Sequence, residues 1–215
     1  ITISDRDRAE MLSAIYHAAG TGMVLTKLGR GTATGEQLSS YGLDATEKAV
    51  VSTVADAEQT RQIFRAAKRK LFIDIPGNGV MMAIPLKSVA GGRTLGFLTD
   101  STQTGGKPAM DFSHELIMAI MNEGYSDTVM DAARSAGAGG GTVLHAKGTG
   151  RARAEKFFGV SLADEKDVVY IVAHAEEKAA IMQAIADNAG PGTRAGAICF
   201  SLPISQVAGL RERDE

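Results

Sequence analysis

Only one cysteine, Cys199, occurs in the chain, so an internal disulfide is excluded. It sits in the apolar run Ile198-Cys199-Phe200, where a small buried hydrophobe is expected rather than a reactive thiol. Neither sign of charge dominates. The 23 Lys and Arg residues stand against 25 Asp and Glu, a net charge of −2, so no broad basic surface is offered to nucleic acid. No apolar run reaches membrane-spanning length and no signal-peptide pattern is present, which points to a soluble, cytoplasmic protein without membrane insertion. His17, His114, His145 and His174 lack metal-ligand spacing and read as surface or strand-end residues. Asp127 and Asp131 share a helix face but nothing marks them as a catalytic pair. With no activated nucleophile and no metal cluster, an enzyme such as a slow ATPase is disfavoured.

The chain does contain an internal repeat. Val24-Leu25 matches Val143-Leu144, Gly29 and Gly31 match Gly148 and Gly150, and Glu47-Lys48 matches Glu165-Lys166. Pro85 followed by Val89-Ala90-Gly91 matches Pro203 followed by Val207-Ala208-Gly209. The copies lie about 118 residues apart, far beyond the 20–50 residue period of solenoids, so each copy is a domain. A length of 215 residues, 44% hydrophobic and 22% charged, accommodates two small globular domains. The expected division is a first domain over 1–93, divergent and lacking most of its first strand, a linker over 94–112, and a second domain over 113–215.

The second copy reads as follows. Leu116 to Met121 is a buried strand. Ser126 caps a helix on which Val129, Ala132, Ala133 and Ala136 are spaced, and Gly137 ends it. Thr142 to Ala146 is β-branched and apolar, a strand. Gly148 to Glu165 is a loop. Val168 to Ala173 is a strand, Glu176 to Asn188 a helix, and Gly190-Pro191-Gly192 its break. Ala197 to Leu202 is the last strand, stopped by Pro203. The first copy repeats the plan. A helix capped by Asp5 or Asp7 buries Leu12, Ile15, Tyr16 and Ala19. Met23 to Leu28 is a strand, with a glycine-rich loop from Gly29 to Thr46. Ala49 to Val54 is a strand, a helix carries Thr60, Ile63, Phe64 and Ala67, and Val80 to Ile84 is a strand. Only Ile1 to Ile3 remain for its opening strand. Both copies give the order βαββαβ, the ferredoxin-like arrangement of an α+β fold. Its helices cover one sheet face, so the other needs a partner: oligomerisation, or docking of one copy on the other.

The stretch Thr142-Val143-Leu144-His145-Ala146-Lys147-Gly148-Thr149-Gly150-Arg151, a strand entering a glycine bend, resembles the PII nitrogen-regulatory signalling proteins. These have a strand there, then Lys-Gly-aromatic-Gly-Arg leading into a long effector loop. The likeness covers Leu116 to about Gly209, with Asn188 to Gly196 standing where the family has its nucleotide-clasping loop. The first copy resembles the family more faintly. The resemblance implies a homo-oligomer, a trimer, that binds an adenine nucleotide (ATP, ADP or AMP) in a cleft between subunits and requires no other cofactor. Adenine would rest near Ile120, Thr142 and Val172. Gly148, Thr149, Gly150, Gly190, Gly192, Thr193 and Gly196 would let backbone N–H groups approach phosphate, with Arg151 and Arg194 neutralising its charge. Arg153, Lys156, Phe157 and Phe158 would lie on the effector loop, whose output is contact with a regulated partner protein, a membrane transporter or a metabolic enzyme. The chain departs from the family in four places. Its effector loop has no Tyr to accept a uridylyl group. Ala152 replaces the family's Mg²⁺- and 2-oxoglutarate-chelating Gln. Ala197 stands where a basic residue begins the last strand, and Arg211 and Arg213 come late for the family's Arg pair. The alternative is an oligomeric scaffold without a small-molecule effector.

Overall fold

Two runs of apolar residues at helical spacing and a set of alternating strands build each half of the chain. The computed structural model describes residues 1–32, 47–86, 112–148, 156–157, 160–161 and 164–210. They fall into two compact units. One comprises Ile1–Leu28, Thr46–His114 and Pro203–Glu215; the other comprises Gly29–Ala45 and Glu115–Leu202.

In the first unit β1 (Thr2–Asp5) leads through a 3-10 turn (Arg6–Arg8) into α1 (Ala9–Ala18). Then follow β2 (Val24–Gly31), whose last residues from Gly29 on group with the other unit, β3 (Glu47–Thr53), α2 (Ala57–Leu71) and β4 (Val80–Ala83). The strand order is β2-β3-β1-β4, with β11 (Gln206–Ala208) added beside β4. Every third or fourth residue of each helix faces inward, as an amphipathic helix on a sheet requires. Leu12, Ile15 and Tyr16 of α1 meet Ile63, Phe64, Ala67 and Leu71 of α2 over Val51 and Met81. A capping box starts α2: Asp56 accepts from the Gln59 amide at 2.8 Å and Gln59 Oε1 accepts from the Asp56 amide at 3.1 Å. The Tyr16 hydroxyl meets Thr2 Oγ1 at 2.5 Å, and burial pushes its phenol up to about 12, the hydrogen bond to Thr2 opposing part of the rise.

In the second unit β5 (His114–Asn122), α3 (Ser126–Ser135), β6 (Thr142–Gly148), β9 (Asp164–His174), α4 (Lys178–Ala189) and β10 (Ile198–Ile204) follow in order. The short pair β7 (Lys156–Phe157) and β8 (Val160–Ser161) lies between β6 and β9. The strand order is β10-β5-β9-β6, and Gly29 to Gly31 of β2 add to β6. Both units thus show the ferredoxin-like arrangement expected from the sequence. Alternate residues of the strands, Ile117, Ala119, Met121, Val143, Val169, Ile171 and Ala173, pack with Val129, Met130, Ala133, Ile181 and Ile185 of the helices. Residues between them in sequence, among them Ile120, Thr142 and Val172, point to the other face. There Ile198 is 55% and Phe200 41% exposed. Cys199 turns inward, half-buried beside the Met182 carbonyl, and burial pushes its thiol up.

Several local expectations are corrected. Ser126 does not cap α3; it is the first helical residue, and the turn into the helix is held by Asp167, whose Oδ2 accepts from the Gly124 amide at 3.0 Å. Neither Asp5 nor Asp7 caps α1: Asp5 ends β1 and pairs with Lys48, and Arg8 stands at the N-cap. Gly29 and Gly31 are not loop residues. They extend β2 against β6, in register with Leu144 and Thr142. A Cβ on Gly29 would stand 2.5 Å from the Val143 carbonyl oxygen, so this close approach needs glycine. Gly148 likewise ends a strand rather than opening a loop, paired with Asp164. Within the expected loop 148–165, β7 and β8 pair antiparallel, with Phe157 in register with Val160. Pro203 does not stop β10, which runs on to Ile204. β10 lies at the edge of its unit's sheet, where the missing N–H of a proline costs no ladder bond.

Candidate functional site

Gly190 closes α4 and starts the bend that the sequence singled out. Its amide donates to the Ala186 carbonyl at 3.1 Å, and a Cβ there would lie 2.1 Å from that same oxygen. The position tolerates no side chain unless the helix end moves. Thr193 donates twice to the Gly190 carbonyl, from its amide and from Oγ1, both at 2.9 Å. Gly196 has φ +57, a left-handed conformation that glycine adopts without strain. The Ala197 amide returns to the Ala189 carbonyl at 2.8 Å. The bend is therefore closed on itself at its base. Gly192 and Arg194 at its tip are exposed, and among the described residues nothing beyond its chain neighbours lies within 4 Å of a Cβ placed on Gly192.

The tip is also suspended from β5. The Asn122 amide donates to the Ala195 carbonyl at 2.9 Å, and Asn122 Nδ2 donates to the Arg194 carbonyl at 2.9 Å. Lys166 Nζ donates in turn to Asn122 Oδ1 at 2.6 Å. Lys166 stands opposite Ala146 on β6, two residues before Gly148. The end of β6, the end of β5 and the bend thus meet at one end of the sheet. Ile120 is two residues from Asn122 along the same strand.

Thr142 and Val172 lie elsewhere. Thr142 begins β6 opposite Tyr170, and Val172 is two residues beyond Tyr170 on β9. Six residue steps separate Thr142 from Gly148, and six separate Lys166 from Val172. At a strand rise of ~3.3 Å per residue that is about 20 Å. Thr142 is buried, Val172 half-buried, and Gly31 opposite Thr142 brings no side chain beside it. Within one chain the expected site residues therefore form two clusters. One holds Gly148, Gly190, Gly192, Thr193, Arg194 and Gly196 near Ile120; the other holds Thr142 and Val172. Thr149, Gly150, Arg151, Arg153 and Phe158 lie outside the described residues, and Lys156 and Phe157 form β7.

Sequence reasoning passed over two groups at this end of the sheet. In the sequence Lys166 stands out only as half of a repeated Glu-Lys pair, and Asn122 carries no signal. The second group is His145 with Asp167, which face each other across β6 and β9. Asp167 is 2% exposed, and its Oδ1 lies 2.7 Å from His145 Nδ1. Among the described residues that oxygen has no other hydrogen-bond partner, so it is satisfied when Nδ1 carries the imidazole hydrogen. No group of three or more metal-ligating side chains occurs among the described residues, and no helix among them is long and apolar enough to cross a membrane.

Comparison with known proteins bears on the same half of the chain. Residues 114–214 match the family model described as nitrogen regulatory protein P-II. Among the solved structures that match is the crystal structure of Arabidopsis thaliana PII bound to citrate. It is 23% identical, over 44% of this chain and 80% of that one, with a TM-score of 0.36. No curated protein sequence matches at a significant level.

Proposed function

We propose that the protein is a P-II-type signalling protein, one that binds an adenine nucleotide between subunits and passes the ligand state to a partner protein; the match of residues 114–214 to the P-II family model supports this reading. The observation that carries this reading is the suspended glycine bend over 190–196, which stands at the same end of the sheet as Gly148. Backbone N–H groups in such bends suit phosphate oxygens, and the exposed Arg194 guanidinium adds charge with the right fork geometry. The distance of about 20 Å along the strands to Thr142 and Val172 argues that two chains contribute to one ligand. A neighbouring subunit would bring its own Thr142 and Val172 to the adenine end. Exposed Ile198 and Phe200 supply apolar surface for such an assembly, for which we take the trimer as the form.

In this reading the segment 148–165 is the signalling element. A nucleotide biases it only through contacts that differ between ligand states. The regulated partner, a transporter or a metabolic enzyme, would meet it there. The protein acts by binding rather than by turnover, with no further cofactor. Calorimetric titration with ATP, ADP and AMP tests the reading. Saturable binding of at least one nucleotide is expected, weakened about tenfold or more in Arg194→Ala, the scale of a lost charge-assisted hydrogen bond. No heat with any of the three defeats it and leaves the oligomeric scaffold as the better account.

A further inference from the structure

The two units place the same lysine at the same point and give it different partners. Lys48 and Lys166 each follow the glutamate of the repeated Glu-Lys pair. Each reaches the last residue of its unit's first strand: Lys48 Nζ donates to Asp5 Oδ1 at 2.5 Å, and Lys166 Nζ donates to Asn122 Oδ1 at 2.6 Å. The chemistry diverges at the second atom. An ionised aspartate only accepts, so Asp5 has nothing to give to a backbone carbonyl. Asparagine both accepts and donates. With Oδ1 held by the lysine, the Nδ2 of Asn122 is aimed at the Arg194 carbonyl. Lys166 therefore fixes which way the amide faces, and the amide fixes the bend.

The first unit holds its corresponding bend by other means. Asn78 Nδ2 donates to the Phe72 carbonyl at 3.0 Å, and Arg8 reaches the Leu71 and Asn78 carbonyls at 3.4 Å each. Asp5 takes no part among the bonds described there.

We infer that Asn122, oriented by Lys166, is the positioning residue of the nucleotide site, and that replacement of this residue type by Asp5 in the first copy restricts the chain to one site. The inference rests on the nucleotide reading above. Neither residue needs to touch the ligand. Their part is to present the carbonyls of Arg194 and Ala195 inward, so that the remaining groups of the bend face outward without reorganisation on binding.

Asn122→Asp is the informative substitution, because it writes the first copy's choice into the second at nearly constant shape. It retains the acceptor for Lys166 and sets a carboxylate oxygen against the Arg194 carbonyl. Hydrogen–deuterium exchange of the full chain, with calorimetry using ATP, ADP and AMP as probes, reads both consequences. Amides over 190–197 should exchange faster in Asn122→Asp while those of β6 and β9 keep their rates. Affinity should fall about 5- to 30-fold, the factor that one or two kcal/mol represents. Lys166→Arg, which retains a donor for Oδ1, should stay close to the parent, whereas Lys166→Met should behave like Asn122→Asp. The parent should take one nucleotide per chain. Unchanged exchange and unchanged affinity in Asn122→Asp, or two nucleotides per chain, would overturn the inference while leaving nucleotide binding intact. If the parent chain takes no nucleotide, the underlying reading fails instead, and the exchange result alone decides whether Asn122 holds the bend.

Discussion

Arg194→Glu and Val172→Trp are each expected to abolish nucleotide binding alone and to restore part of it when the two variant chains are mixed and reassembled. The argument is geometric. Arg194 belongs to the cluster at the bend, and Val172 to the cluster about 20 Å away along the sheet, six residue steps at ~3.3 Å each. If one ligand is held by the bend of one chain and the Val172 strand of its neighbour, each variant spoils every site in its own assembly. In a mixed ring some interfaces join an intact bend to an intact strand. For random mixing of equal amounts that occurs at about a quarter of the interfaces, whatever the number of chains in the closed ring. Calorimetry on the mixture should therefore recover roughly a quarter of the parent's sites at about the parent's affinity. Recovery of none, with both variants folded and assembled, would mean that a single chain holds the whole site. Val172 is half-buried rather than sealed in the core, so a larger side chain there should block the cleft without unfolding the unit.

The second large effect concerns stability. Gly209→Ala should destabilise the protein by about 3 kcal/mol or more, through strain at a left-handed residue and overlap with backbone atoms. Gly209 has φ +81, and a Cβ there would stand 2.2 Å from both the Gly79 and Ile73 carbonyl oxygens. Neither oxygen belongs to a flexible side chain, so the backbone itself must shift. Gly209 follows β11, which adds to β4 in the first unit with Gln206, Val207 and Ala208 in register with Ala83, Met82 and Met81. The change should thus loosen a strand contributed by the last part of the chain. Gly139→Ala is the matching control, since among the described residues nothing beyond its chain neighbours lies within 4 Å of a Cβ placed there. A thermal scan should separate the two by roughly 10 °C. Equal midpoints would show that β11 does not hold the first unit as described.

Gly209 also illustrates what the sequence reveals and what it withholds. Val-Ala-Gly recurs in the sequence, and at Gly209 the structure supplies a reason for glycine: no Cβ fits between the Gly79 and Ile73 carbonyls. The helices and the longer strands are equally legible, whereas the short strands β7, β8 and β11 are not. Leu12, Ile15 and Tyr16, or Ile63, Phe64 and Ala67, fall at helical spacing, and those spacings are the buried faces. Glycine and proline misled where tertiary contacts override local punctuation. Gly29 and Gly31 look like a turn, yet both pair in register with β6, and at Gly29 the absent side chain is what allows that approach. Pro203 looks like a stop, yet it sits in an edge strand.

The candidate site was legible in part for the same reason. A glycine bend after a helix is visible along the chain, so Gly190, Gly192 and Gly196 could be named. What holds the bend could not, because Asn122 is 72 residues from Arg194 and 44 from Lys166. Hydrogen bonds at such separations leave no periodic signal. Nor does any local pattern reveal that Gly29–Ala45 groups with the second unit and Pro203–Glu215 with the first. The distance between Thr142 and the glycine bends was hidden too. It follows from strand register, which positions Thr142 opposite Tyr170 and Gly148 opposite Asp164 at the two ends of one ladder.

Photolabelling with an azido-adenine nucleotide, followed by mass-spectrometric mapping, tests the central claim most directly. The account predicts label on β5, β6 or β9 of the second half, at the sheet face away from the helices that carries Ile120, Thr142 and Val172. Excess unlabelled ATP should suppress it. Label confined to the first half, or label that ATP fails to displace, would contradict it.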